Sequence, residues 1–319
     1  MTDLPDRPAS IHDETGLGPR GPWSFLRESA PGGFSASGLW LLAGWVLLAV
    51  GPAFLWAGYL MDHTRIRGGW SALPAHWGEQ LNAKDVVELF GRGEIHGLLG
   101  AGASTVLILG LALVLWASWK HQAEAAGLRP RLGAWVGGFL DTLVVGLPCV
   151  VLYLIVYLSL GFLGDLGVPA LSWIAFVGGP LLGLATSSAW MTQWWLLRIN
   201  RLERKGQSWP RHLVLGFRRL WSHPVQWGAL VAGGALVRLA FHAGTLEAAW
   251  RLGGGGAGRV ALFVLLEALS ALAGGWILGW MLRTTASYWR HDQAVRRAVA
   301  ELEAASAATA SEWQEAADA

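Results

Sequence analysis

Six apolar stretches dominate the sequence, and each is long enough to cross a lipid bilayer. About 20 apolar residues, at a rise of ~1.5 Å each, span the hydrocarbon layer as a helix. A spanning segment must satisfy its backbone hydrogen bonds internally, which only a helix or a closed barrel can do. The sequence therefore predicts an all-α, polytopic bundle of six transmembrane helices, at residues 39–60, 97–116, 135–160, 171–197, 224–243 and 260–282.

The composition supports a membrane protein and argues against other classes. Hydrophobic residues make up 53% of the chain and charged residues only 14%, which leaves too few charges to cover a soluble globule of 319 residues. The net charge is only +2, and the basic residues lie between the apolar stretches. Because nucleic-acid binding needs a dense basic surface, we predict no nucleic acid among the partners.

The sequence shows no pattern typical of a catalytic or cofactor site. The nine histidines form no HExxH pair, and there is no GxSxG nucleophile turn. The single cysteine, Cys149, lies inside an apolar stretch, so the chain can build neither an internal disulfide nor a thiolate metal cluster. We therefore predict a protein that is not an enzyme and that holds no cofactor or metal.

The basic residues predict the orientation of the helices. Of the 24 Lys and Arg residues, 17 lie in the two tails and the second and fourth connections, and seven lie on the other side. The fourth connection alone carries seven, between Arg198 and Arg219. Because positively charged connections tend to stay in the cytoplasm, both termini are predicted to be cytoplasmic.

Many tryptophans lie near the predicted helix ends. An indole there can place its ring in the apolar layer while its N–H reaches water. This placement is predicted for Trp40, Trp45, Trp116, Trp119, Trp135, Trp173, Trp194, Trp195, Trp227, Trp276, Trp280 and Trp289.

The remaining segments are predicted as tails and short surface helices. Residues 1–35 are rich in proline and are predicted to be a flexible cytoplasmic arm, and residues 299–319 form a cytoplasmic tail that begins as a helix. An amphipathic pattern at 84–90 predicts a short helix within the long outer connection.

Residues 211–222 show the pattern of a basic interfacial helix. The predicted apolar stripe consists of Leu213, Phe217, Leu220 and Trp221, and the predicted basic face of Arg211, Arg218 and Arg219. Such a helix can lie among anionic lipid head groups, where each basic residue contributes ~1 kcal/mol. The alternative is a docking face for a cytoplasmic partner.

Four ionisable residues lie inside the predicted spans, where a charge costs about 2.5–3.5 kcal/mol at the helix centre. Asp141 is two turns into the third helix, Glu267 two turns into the sixth, and Arg238 and His242 occupy the outer half of the fifth. Counting the rise per residue places Arg238 and Glu267 at similar depth. They are predicted to form a structural ion pair. The alternatives are a proton or cation relay through Glu267 and His242, and an Arg238 side chain that reaches the outer head groups.

The second half of the chain resembles the RDD family of bacterial membrane proteins. The stretch RPRLGAWVGGFLDTLVVGLP carries Arg131 and Asp141 where the family has an arginine before its first helix and an aspartate within it. The segment RINRLERKGQSWPRHLVLGFRRLW is similar to the family's basic cytoplasmic segment, and His291 with Asp292 matches the pair that closes its last helix. A short internal duplication around the two Pro-Arg pairs at 130–131 and 210–211 is an alternative origin of part of this pattern.

The resemblance covers about residues 129–298 and implies a module of the bacterial inner membrane. It divides the chain into the arm 1–35, two helices in 36–120, an RDD-like four-helix region at 121–298 and the tail 299–319. In this arrangement the aspartates could meet several arginines in one ion-pair cluster at the cytoplasmic helix ends. The predicted members are Asp141, Asp292, Arg131, Arg219 and Arg283.

Two functions remain open from the sequence. The first is an accessory or scaffolding subunit of a larger membrane assembly, with other membrane proteins and anionic lipids as partners. The second is a transporter of ions or small solutes that uses the intramembrane carboxylates Asp141 and Glu267 together with His242. Transport is often suggested for the family, and the kinks expected at prolines within the spans are compatible with it.

Overall fold

The computed structural model describes residues 20–29, 35–66, 101–165, 168–203, 208–252 and 256–318. Within these ranges the chain is built from α-helices and contains no strand, which confirms the predicted all-helical class. The helices are α1 (Pro22–Glu28), α2 (Ala36–Ile66), α3 (Ala101–Ala125), α4 (Leu132–Asp165), α5 (Pro169–Glu203), α6 (Trp209–Ser222), α7 (Pro224–Leu252) and α8 (Gly256–Asp318).

Four helical segments in the described ranges are long and apolar enough to cross a membrane. They are Thr105–Ala125, Leu132–Leu152, Pro224–Thr245 and Ala261–Ser311, and a shorter apolar stretch lies at Ala36–Gly51. On α4, large apolar side chains such as those of Leu143, Leu147 and Leu158 are more than half exposed. A surface of this kind is unfavourable in water and indicates a membrane protein.

Helix α8 is the centre of the bundle. It packs against α1, α2, α3, α5 and α7, whereas α4 packs mainly against α5. One core joins α1, α2, α3, α5, α7 and α8. It includes the buried side chains of Leu41 on α2, Ala117 on α3, Trp195 on α5, Trp227 on α7 and Leu282 on α8. The first two long helices thus share the core of the RDD-like region rather than forming a separate layer beside it.

The closest packing of backbones joins α2 and α3, and two glycines permit it. A Cβ atom at Gly44 would lie 2.9 Å from the backbone nitrogen of Val114, and one at Gly110 would lie 3.0 Å from the backbone nitrogen of Leu48. Small residues at a helix crossing let the two backbones approach. Substitution at either glycine would push the two helices apart.

The described part of the N-terminal arm contains a helix. Residues 22–28 form α1, with proline in its first turn, where the missing N–H removes no intrahelical bond. Phe25 is 4% exposed, and its ring packs edge to face on Tyr288 at 6.2 Å. The indole of Trp280 donates a hydrogen bond to the Leu26 carbonyl at 2.8 Å. The flexible arm expected for 1–35 therefore contains a docked helix, while residues 1–19 and the short helix expected at 84–90 lie outside the described residues.

Several tryptophans lie in the protein core instead of at a wet boundary. Trp195 and Trp227 are 1% and 0% exposed, and their indole N–H groups have no hydrogen-bond partner in the described part of the chain. Trp227 packs edge to face on Tyr288 at 5.1 Å. The prediction of a wet N–H is wrong for these two residues because packing between α5, α7 and α8 fills the space around them. It is also wrong for Trp45, Trp119 and Trp289, whose indole N–H groups are likewise buried without a hydrogen-bond partner in the described residues.

Helix α8 is much longer than a membrane span. It has 63 residues, which at ~1.5 Å per residue make a rod of about 95 Å, against about 30 Å for the hydrocarbon layer. Residues 303–311 are all exposed, although the helix continues to Asp318. Of the tail expected at 299–319, residues 299–318 thus continue α8, and the exposed part from residue 303 is a helical extension of the bundle.

Candidate functional site: charged junctions at the basic end of the bundle

Helix α6 lies at the end of the bundle that carries Lys120, Arg131, Arg201 and Arg283, which we call the basic end. The helix is strongly amphipathic, and one residue of its predicted basic face, Arg219, lies inside the bundle. His212, Gly216, Arg219 and Leu220 face the bundle, whereas the side chains of Val214, Phe217, Arg218 and Trp221 are exposed.

The predicted basic face of α6 needs correction, whereas its apolar stripe stays a prediction. Leu220 packs against the bundle, and Phe217, 41% exposed, and Trp221, 69% exposed, lie at the surface, where an interfacial stripe would contact lipid. Arg211 and Arg218 are exposed as a basic face requires, whereas Arg219 is only 3% exposed and points into the bundle. The reason is that Asn200 on α5 and Asp292 on α8 supply acceptor oxygens for the buried Arg219 guanidinium, which a pattern within one helix does not reveal.

The first junction connects α4, α5 and α6 through Asp141. This carboxylate is 0% exposed and accepts two hydrogen bonds from Arg201, one from Nε at 2.5 Å and one from Nη2 at 2.6 Å. The indole Nε1 of Trp209 donates a third hydrogen bond to Asp141 Oδ1. Two parallel bonds from one guanidinium fix both distance and orientation, so this junction sets how the three helix ends meet.

A glycine makes room for this junction. Gly137 lies one turn before Asp141 on α4, and a Cβ atom there would lie 2.7 Å from Arg201 Nη1. A side chain at position 137 would therefore occupy the space of the guanidinium. In the sequence, a glycine one turn before an aspartate within a span is a signal that a large side chain from another helix could bind that aspartate. The signal does not identify which arginine it is.

The second junction connects α5, α6 and α8 through Arg219. Its Nη1 donates a hydrogen bond to the Asn200 side-chain oxygen, and its Nε lies 3.2 Å from Asp292 Oδ2. Arg296 donates to the same Asp292 oxygen at 3.0 Å. Burial lowers the pKa of the Arg219 guanidinium from its ordinary value, and the charge of Asp292 opposes this shift. Both ends of α6 are thus fixed to the bundle by charged side chains.

The predicted five-membered ion-pair cluster is distributed over separate contacts. Asp141 is bound by Arg201 and Trp209, whereas Arg131 is exposed at the start of α4. His291, beside Asp292, packs its ring 5.3 Å from that of Phe25. The RDD-like residues Arg131, Asp141, His291 and Asp292 therefore belong to different contacts in this structure.

Arg283, the fifth predicted member, lies on α8, where its Nε donates to His121 Nε2 at 3.2 Å. This contact connects α8 to α3.

A third charged cluster lies between α7 and α8, near their other ends. Glu267 is 5% exposed, and its Oε1 lies 2.7 Å from His242 Nδ1 and accepts a hydrogen bond from Thr245 at 2.6 Å. Its Oε2 lies 3.8 Å from Arg238 Nη2, and Arg238 also donates to Ser270. The expected proximity of Arg238 and Glu267 agrees with this geometry.

A buried arginine was overlooked in the sequence. Arg198 is 2% exposed and donates hydrogen bonds at 3.2 Å to the Ser118 hydroxyl and the Leu115 carbonyl, while its guanidinium lies 4.6 Å from the ring centroid of Trp194. It thereby connects α5 to α3. In the sequence it is one of seven basic residues of the fourth connection, and nothing local distinguishes it from the exposed ones.

The three clusters consist of complementary charges and hydrogen-bonding groups that hold helices together. In the described ranges, no three His, Cys, Asp or Glu side chains come close enough to hold a metal ion. A search of known protein families finds no match to this chain, and comparisons with the curated proteins and with the solved structures find none either. The RDD resemblance consequently stays a prediction.

Proposed function

We propose that this chain is a non-enzymatic membrane protein that serves as an accessory or scaffolding subunit of a larger membrane assembly. In this proposal six helices cross the membrane, namely α2, α3, α4, α5, α7 and α8. The basic end of the bundle and both termini lie in the cytoplasm. The excess of basic residues at this end supports that orientation. The sequence resemblance supports a bacterial inner-membrane protein of the RDD type.

The projecting part of α8 carries the proposal. Helix α8 continues for about 24 Å from residue 303, where its side chains become exposed, to Asp318, and the alanines of this extension are strong helix formers that continue an already nucleated helix. Trp313, near the end of this extension, is 74% exposed. A rigid helix with a large aromatic side chain near its tip is suited to docking on another protein, where tryptophan is often a main contributor to binding.

The charged junctions favour a structural role over a transport path. Asp141 accepts three hydrogen bonds, and Glu267 has three polar neighbours on α7, so both carboxylates have partners within the chain. At the basic end these contacts hold α6 with Phe217 and Trp221 exposed. That face and the α8 extension would form one cytoplasmic surface for lipid head groups and a partner subunit.

The proposal is tested by extracting the protein from its native membrane into lipid nanodiscs and measuring the particle mass. We expect a second protein in fixed stoichiometry with this 34.3 kDa chain. A chain that ends after Leu302 should lose that protein yet remain in the membrane, because residues 303–311 and Trp313 are exposed and the apolar part of α8 is kept. Trp313→Ala should weaken the association, and Ser311→Ala, a change two residues away, should not.

A particle that contains only this chain, as one copy or several, would contradict the proposal. Retention of the second protein after truncation would leave a subunit role but refute docking through the α8 extension.

Transport is the second candidate, and the cluster around Glu267 favours it. His242 is in hydrogen-bonding contact with the buried Glu267 while its own side chain is 44% exposed, so the pair connects a buried carboxylate to the surface of the bundle. Such a pair is suited to pass a proton. Flux measurements distinguish this candidate from the first.

A further inference from the structure

A cavity with a narrow inner part and a wider mouth lies between α1, α2, α3 and α8 at the basic end. The inner part has a volume of ≈ 90 Å³ and is lined by apolar groups that include Leu41, Leu42, Trp276 and Trp280. The mouth has a volume of ≈ 360 Å³, and polar or charged residues predominate among those that line it, which are Glu28, Ser29, Ser35, His121, Glu124, Ala125, Arg283, Ser287 and Arg290. Four of these residues, Ser29, Ser35, His121 and Arg283, line both parts, so the two adjoin.

The polarity of the cavity changes along α8. Gly275, Trp276 and Gly279 lie beside the inner part, and Arg290 lies at the mouth. From Gly275 to Arg290 the helix rises ~22 Å. The chain around the start of α2 runs in the same direction, with Ser35, just before α2, near the mouth and Leu42 further in. The apolar part thus points toward the membrane interior and the polar part toward the helix ends.

The polar groups at the mouth form an ordered hydrogen-bond chain. Arg283 Nε donates to His121 Nε2, so the ring proton of a neutral His121 is on Nδ1, which lies 3.1 Å from Ser35 Oγ and 3.3 Å from Ser37 Oγ. Ser37 in turn donates to Glu124. His121 is 4% exposed, and this chain holds it in one orientation beside the guanidinium.

The carboxylates near the mouth have cationic partners outside the lining. Glu28 forms an ion pair with Arg20, and Lys120 lies 3.9 Å from Glu124. Their negative charges are offset in this way, and Arg283 and Arg290 give the mouth a positive character. A positive, hydrogen-bonding mouth over an apolar inner part is complementary to an amphiphile with an anionic head group.

We propose that this cavity binds one anionic phospholipid, with its phosphate at Arg283 and Arg290 and part of an acyl chain in the compartment lined by Leu41, Leu42 and Trp276. The chemistry recognised is a phosphate monoanion joined to an apolar chain. A free phosphate ion shares the head-group chemistry and would leave the apolar compartment unused. The site is independent of the proposed docking of a partner through the α8 extension.

The test is lipid binding to the full chain, purified in detergent and stripped of lipid, measured by native mass spectrometry. The probes are dioleoyl phosphatidylglycerol, dioleoyl phosphatidylcholine and inorganic phosphate. We expect one phosphatidylglycerol per chain at concentrations where phosphatidylcholine and phosphate do not bind. Arg290→Gln should weaken phosphatidylglycerol binding about fivefold, as expected for one basic residue near an anionic head group. Arg297→Gln, two turns further along α8, should not weaken it.

Position 279 tests the apolar compartment. A Cβ atom at Gly279 would meet its nearest neighbour, His121 Nε2, at 3.6 Å, which is an ordinary contact, so Gly279→Ala should bind lipid like the unchanged protein. Gly279→Leu should fill the inner cavity and reduce binding tenfold or more. If that variant does not fold, the comparison of Arg290→Gln with Arg297→Gln decides.

Three results would overturn the proposal. Binding of phosphatidylcholine as tight as that of phosphatidylglycerol would show that the negative charge of the head group is not recognised. Binding of phosphate as tight as that of phosphatidylglycerol, unchanged in Gly279→Leu, would indicate an anion site without an acyl chain. Equal weakening by Arg290→Gln and Arg297→Gln, or no specific lipid adduct, would show that the cavity does not select an anionic lipid.

Discussion

The junction at Asp141 leads to a prediction that separates the structure from the sequence resemblance. By resemblance, Arg131 and Asp141 form the family motif, whereas in the structure Arg201 binds Asp141 and Arg131 is exposed. Asp141→Asn removes the negative charge and keeps the shape of the side chain. We expect this change to destabilise the bundle through the loss of the Arg201 contact.

The size of the expected destabilisation follows from the burial of Asp141. Asp141 is 0% exposed, and removing one partner of a buried ion pair costs about 3–5 kcal/mol. The Arg201 side chain is 23% exposed and can regain water, and asparagine retains one acceptor oxygen. We therefore expect Asp141→Asn to lower the free energy of unfolding by about 2–3 kcal/mol.

The assay is a pair of double-mutant cycles, measured by unfolding in mixed micelles with a denaturing detergent. One cycle combines Asp141→Asn with Arg201→Gln, and the other combines it with Arg131→Gln. The first should give a coupling energy of about 1–3 kcal/mol, because the two side chains are in direct contact. The second should give less than about 0.5 kcal/mol, and Arg131→Gln alone should change stability by no more than that.

A coupling energy that is larger for Arg131 than for Arg201 would refute the junction. Gly137→Ala is an independent check, because the added methyl would lie 2.7 Å from Arg201 Nη1. It should destabilise the protein and reduce the effect of a subsequent Arg201→Gln substitution. Full additivity of these two changes would also contradict the described geometry.

Three further predictions concern other contacts. Gly110→Ala places a methyl 3.0 Å from the α2 backbone and should destabilise the protein by about 1–3 kcal/mol in thermal unfolding. In the control Gly228→Ala the new methyl has nothing within 4 Å, so this change should not destabilise. Equal effects of the two substitutions would contradict the α2–α3 packing. Arg219→Gln should lower the unfolding temperature because Asn200 and Asp292 lose their cationic partner inside the bundle. Arg218 is exposed, so Arg218→Gln should not lower it. A larger effect at Arg218 than at Arg219 would contradict the burial of Arg219. Glu267→Gln should leave proton flux into reconstituted vesicles at the background level of the unchanged protein; a flux that this substitution abolishes would favour the transporter.

The contact between Arg238 and Glu267 was predictable because it depends on local quantities. The depth of a residue in a spanning helix follows from its position and the rise per residue, and a buried charge requires a partner at the same depth. The partner of Asp141 could not be predicted in the same way. The fourth connection offers seven basic residues, and the sequence does not say which of them faces α4.

The errors on α1 and α6 have related causes. Proline-rich composition predicted a flexible arm, but Pro22 is compatible with a helix start, and the burial of Phe25 fixes α1 to the bundle. On α6 a polar pattern placed Arg219 outside, although Asn200 and Asp292 bind it inside. In each case the stabilising contact comes from a residue far away in the sequence.

The sequence by itself determined the helical class and the membrane character of this protein. Both follow from the length of the apolar stretches and from the need of a spanning backbone to satisfy its own hydrogen bonds. Only the tertiary structure decided that Arg201 meets Asp141, that Arg198 and Arg219 are buried, and that a cavity lies between α1, α2, α3 and α8. These features depend on how each helix is rotated about its axis, and that rotation is set by packing between residues distant in the chain.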